Sequence, residues 1–100
     1  MRISESQRRE ILSELQHRFG AGARAWLFGS RADDMRRGGD IDLFVEAEIS
    51  PSGGRILSKI ETVVTLERIV DGQSVDLVVR FPGDAEQPIH RIAKETGVPI

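Results

Sequence analysis

Apolar residues recur at helical spacing near the start of the chain. Ile11, Leu12, Leu15 and Phe19 lie three or four positions apart, while Arg8, Arg9 and Glu14 fall on the other side. Ser4 followed by Gln7 reads as a capping box, in which a hydroxyl and a side-chain amide satisfy backbone donors at a helix start. Gly20 and Gly22 end the pattern, so a helix is expected over about residues 5–19. Three short runs follow a different rule. Residues 25–28 (AWLF), 40–46 (DIDLFVE) and 75–80 (VDLVVR) are apolar and rich in β-branched or aromatic side chains, and they read as buried strands. Residues 54–69 carry both signals. Val63, Val64 and the threonines favour a strand, whereas the length and the Ile56, Ile60, Val63, Val64 spacing favour an amphipathic helix ended by Asp71-Gly72. A last helix is expected from Asp84 or Pro88 to Gly97, with Ile89, Ile92 and Ala93 turned inward. The order α-β-β-α-β-α predicts a small α/β (α+β) domain with a mixed sheet of at least three strands packed by helices.

Length and charge narrow the classes. One hundred residues suit a single domain, residues 1–100, with a modest core. Fourteen basic and 16 acidic residues give a formal charge of −2, so nucleic acid is not expected as the main partner, because phosphate neutralisation needs a surplus of Lys and Arg. The absence of cysteine excludes a disulfide scaffold, a thiolate metal centre and a cysteine nucleophile. No apolar run approaches the roughly 20 residues that span a bilayer, and the N-terminus lacks a signal-peptide core, so a cytoplasmic protein is expected.

The candidate chemistry lies between the strands. Asp40 and Asp42 sit two positions apart, which places both on one face of a strand, about 6–7 Å apart at Cα. Asp76 repeats the pattern between Val75 and Leu77. If these strands are neighbours, three carboxylates converge, and like charges held together raise each other's pKa. A divalent cation removes that conflict. Oxygen ligands without Cys or His point to Mg²⁺, with Mn²⁺ as the alternative. Gly29-Ser30 directly follows the first strand, where backbone N–H groups and a hydroxyl could hold phosphate oxygens. Arg31, Arg36 and Arg37 follow in the same loop and suit a polyphosphate. Together these features suggest a nucleoside triphosphate with Mg²⁺.

The stretch LFGSRADDMRRGGDIDLFVE (27–46) followed by VDLVV (75–79) resembles the minimal nucleotidyltransferases of the DNA polymerase β superfamily. Their pattern is a strand ending in Gly-Ser, nine or ten residues, Asp-x-Asp on the next strand, and a third acid on a later one. The likeness runs over about residues 10–96. It implies that Gly29, Ser30 and Arg31 hold the triphosphate and that Asp40, Asp42 and Asp76 bind metal, two Mg²⁺ ions in all. Asp76 would alternatively activate the acceptor hydroxyl. The implied reaction moves a nucleoside monophosphate, AMP from ATP, to a hydroxyl. Relatives of this kind often pair with a small helical HEPN-domain protein as antitoxin to an RNase-like toxin, some by adenylylating it. Two features depart from the pattern: Asp33 and Asp34 add negative charge to the loop, and Gly39 precedes Asp40.

Little chain remains beyond this core for a substrate domain, so the acceptor is expected on a partner protein, or in a pocket shared by a homo-oligomer. A contact-only module that masks its partner is the competing reading, and a small-molecule nucleotidyltransferase is the third. Taken singly, the residues have plainer explanations. Asp40 and Asp42 could cap the turn after Gly38-Gly39, Asp76 could simply open a strand, and Ser30 could cap a helix. Trp26 reads as core, and His17 and His90 as surface or helix-end residues.

Overall fold

The computed structural model describes residues 3–28 and 40–100. Helix α1 spans Glu5–Phe19. Ser4 Oγ accepts from Gln7 N at 3.0 Å and Gln7 Oε1 accepts from Ser4 N at 2.9 Å, so the expected capping box forms. Ile11, Leu15 and Phe19 are its buried side. The helix ends at Gly20, whose φ of +106° is a conformation that side chains rarely adopt. A Cβ there would also meet Glu48 Cβ at 2.7 Å. Glu48 in turn accepts from Gly22 N at 3.1 Å, which ties the end of α1 to the chain following the second strand.

The remaining elements are β1 (Arg24–Phe28), β2 (Ile41–Glu46), α2 (Arg55–Ile69), β3 (Val75–Arg80), α3 (Pro88–Thr96) and β4 (Val98–Pro99). The fold is mixed α/β, with the sheet ordered β3-β2-β1-β4. β2 pairs antiparallel with β1 and parallel with β3, and β4 adds two antiparallel residues beside β1. A parallel pair needs a crossover, and α2 supplies it.

Strand alternation sends the two sheet faces to different helices. Ala25, Leu27, Ile41, Leu43, Val45, Val75 and Leu77 pack with Ile11, Leu15, Phe19 and Leu66 beneath α1 and α2. Trp26, Phe28 and Phe44 face the other way and are covered by Ala93 of α3, with Val78 packed against them. Each large side chain buried in this way contributes about 1.5–3 kcal/mol. Among the described residues, no helix is long and apolar enough to cross a membrane.

Two helices present a different side to the core from the one their hydropathy predicts. In α2 the buried residues are Ser58, Thr62 and Leu66, while Ile56 and Ile60 are 79% and 56% exposed and Val64 is also exposed. Ser58 and Thr62 share a side of α2 with Leu66, which enters the core where α2 packs on α1 and β3. Thr62 satisfies its own hydroxyl by donating to Ser58 O at 2.7 Å, so burying it leaves no orphaned donor. In α3, Ala93 points inward as expected, but Ile89 and Ile92 are exposed and His90 is buried. The His90 ring stacks on Phe44, with centroids 5.0 Å apart and planes 11° apart. Its Nδ1 accepts from Gln87 N at 3.0 Å. Trp26 is core, stacked on the other side of the layer against Phe44 at 5.5 Å.

Candidate active site

The α3-facing side of the sheet is organised in three rows across β1, β2 and β3. Register aligns Arg24, Glu46 and Arg80 in one row, Trp26, Phe44 and Val78 in the next, and Phe28, Asp42 and Asp76 in the last. Alternation thus carries Asp42 and Asp76 to the same face and to adjacent positions on paired strands, where Cα atoms lie about 5 Å apart. Asp40 precedes β2 by one residue and is exposed. Its carboxyl lies within hydrogen-bonding reach of the Asp76 carboxyl.

That contact has an electrostatic consequence. Partial desolvation pushes the Asp76 carboxyl above its ordinary range. The hydrogen bond and the negative charge of Asp40 push it further, and Lys59 on α2 pulls it back. Asp76 therefore holds a proton more readily than an ordinary aspartate. The opposite row behaves differently. Glu46 Oε1 accepts from Arg24 Nη2 at 3.0 Å, and its Oε2 accepts from Lys94 Nζ at 2.9 Å and Arg80 Nη1 at 3.3 Å. Burial pushes the Glu46 carboxyl up, but the hydrogen bonds from Lys94 and Arg24 outweigh it and hold the group below the usual carboxylate range.

The donor chemistry of the acidic row fits a hard divalent cation, since carboxylate oxygens crowd one another there and a cation relieves the repulsion. Two carboxylates suffice for Mg²⁺, which completes its shell with water and substrate phosphates. Asp40 and Asp76 are brought together. Asp42 is their neighbour in register, but among the described residues no group of three or more acidic or histidine side chains forms a metal cage. Gly29, Ser30 and Arg31, expected at the triphosphate, lie outside the described residues, as do Arg36 and Arg37. Sequence reasoning missed Lys59 as a neighbour of the acids. Its only signal was a cation within the apolar spacing of α2.

A family model described as a nucleotidyltransferase domain matches residues 8–98, which include all three acids and run from within α1 to the first residue of β4. Among curated proteins none matches the chain.

Proposed function

The chain belongs to the nucleotidyltransferase domain family, and on that premise we propose that it transfers AMP from ATP to a hydroxyl of a partner protein. By resemblance, that partner is a HEPN-type toxin that the chain neutralises as antitoxin. The observation that carries the transfer reading is the carboxyl pair Asp40–Asp76, set beside Asp42 at one end of the β2–β3 pair. In the proposed reaction the acceptor oxygen attacks the α-phosphorus. The bond from that phosphorus to the bridging oxygen breaks, and pyrophosphate leaves. The hydroxyl proton passes to Asp76, which lies within hydrogen-bonding reach of Asp40 beside Asp42. We assign Asp40, Asp42 and Asp76 to Mg²⁺ and Gly29, Ser30 and Arg31 to the triphosphate. Bound Mg²⁺ supplies charge neutralisation on the phosphates and lowers the pKa of the attacking hydroxyl. The protein's share is positioning and electrostatics.

The test is a transfer assay with α-phosphate-labelled ATP, Mg²⁺ and the source-cell lysate. It compares the wild type with Asp40→Asn/Asp42→Asn. The expected result is a discrete labelled protein that disappears with the double variant, whose far-UV spectrum stays native. Label that persists in the variant would overturn the site assignment. The competing reading is masking of the partner by contact. That reading predicts no label in either protein and a toxin still neutralised by the double variant.

A further inference from the structure

The outer edge of β3 and the outer side of α2 are both unoccupied by the described residues, and they adjoin. The ladder phase fixes the edge. Ile41 N donates to Ser74 O at 2.8 Å and Ala47 N donates to Arg80 O at 2.9 Å, so the even-numbered residues of β3 bond toward β2. The backbone groups of the odd-numbered residues point outward. Val75 N is taken by Glu67 Oε2 at 2.9 Å, and Phe81 N by Asp84 Oδ2 at 3.1 Å. Between these side-chain caps lie Leu77 and Val79, with an open edge among the described residues. Caps and open positions are both symmetric about Val78.

We propose that this edge pairs with the same edge of a second copy of the chain, antiparallel about a two-fold axis at Val78. The pairing sets Leu77 opposite Val79 of the second copy, and each Val78 opposite its mate. Charge complementarity selects a second copy over another occupant. The same register sets Asp76, crowded by Asp40, directly opposite Arg80 of the second copy on the same sheet face. Within its own chain that guanidinium donates to Glu46, Glu86 and Asp84 O through Nη1 and Nε, and Nη2 is the nitrogen left to face Asp76. Both copies make that contact, and the two four-stranded sheets become one.

The apolar side of α2 reaches the same axis. Glu67 lies on the stripe of Ile56, Ile60 and Val63, and its bond to the outward N–H of Val75 shows that the stripe overhangs the β3 edge. From that anchor α2 and β3 run in opposite directions along the chain. Seven helical residues back to Ile60 and three strand residues on to Val78 each cover about 10 Å, so Ile60 stands level with the axis. Pairing therefore buries Ile56, Ile60 and Val64 against their mates, which accounts for aliphatic side chains outside a helix that buries Ser58 and Thr62.

Sedimentation equilibrium of the full chain without nucleotide tests the assembly, so its outcome is independent of the transfer reading. The expected mass is twice the 11.1 kDa of one chain. Ile60→Asp, at an exposed position, should keep its far-UV spectrum and weaken dimerisation at least tenfold. The chain has no cysteine, so Val78→Cys supplies a single thiol at the axis. Under mild oxidation it should form a disulfide-linked dimer, while Ser13→Cys on exposed α1 does not. A chain that stays monomeric as its concentration is raised overturns the proposal. So does a dimer that Ile60→Asp leaves intact, or one in which folded Val78→Cys fails to cross-link.

Discussion

Two carboxylates project from the same face of β2, four residues apart, and meet opposite environments. Glu46 is bonded by Arg24, Arg80 and Lys94, and is held ionised. At the other end, Asp42 lies in register with Asp76, which is crowded by Asp40 and drawn toward its protonated form. The first end is electrostatically complete within the chain and serves stability. At the second, Asp40 and Asp76 repel one another with Lys59 offsetting part of that repulsion, and a cation would relieve the rest, which is how a binding site differs from a structural ion pair built from the same residue types. Phe44 stands between them, fully buried and stacked with Trp26 and His90.

Removing the divider should have the largest effect on stability. Phe44→Ala leaves a cavity between α3 and the sheet and should cost about 3–5 kcal/mol, measured by urea unfolding at neutral pH. Glu46→Gln comes next. It weakens charge-assisted bonds to three cations and should cost about 1–2 kcal/mol at neutral pH. Because the folded carboxyl lies below its unfolded value of 4.5, the wild type loses this advantage as pH falls through the depressed value, and the variant's deficit shrinks with it.

Asp76→Asn should give the smallest change and the opposite sign. The folded Asp76 carboxyl lies above its unfolded value of 3.8. The folded chain therefore binds the extra proton, and wild-type stability falls as pH rises from 3.8 through the raised value. At concentrations that keep the chain monomeric, the variant escapes that loss and should be slightly more stable than wild type at neutral pH, with the difference vanishing in acid. Adding Mg²⁺ at neutral pH should raise the wild-type unfolding midpoint and leave Asp76→Asn nearly unmoved. A variant that is less stable than wild type at neutral pH, or that responds equally to Mg²⁺, would erase the contrast between the two ends.

That Asp40 and Asp42 share one strand face was legible because alternation is local, but their meeting with Asp76 depends on the parallel pairing of β2 with β3 across α2, which no local rule carries. The start of α1 was legible for the same reason, since Ser4 and Gln7 satisfy donors three residues away. The orientation of α2 was not. Apolar spacing says which residues share a side, and only the docking of α2 on α1 and β3 decides that the side of Ser58, Thr62 and Leu66 goes inside. His90 escaped notice as a core residue because the ring that receives it, Phe44, lies 46 positions earlier. At two residues, β4 is too short to carry a pattern.

The parallel pairing of β2 with β3 has a kinetic consequence. Asp42 and Asp76 meet across 34 intervening steps of chain, with α2 between them, whereas only residues 29–40 separate β1 from β2 in the sequence. Closing the longer loop requires the crossover helix to dock first, and non-local pairings of this kind form late in folding. A chain emerging during synthesis therefore carries Asp40 and Asp42 well before it has Asp76 beside them. The acid pair exists only once β3 has docked beside β2, so an intermediate that lacks this pairing has no Asp40–Asp76 pair to offer a metal.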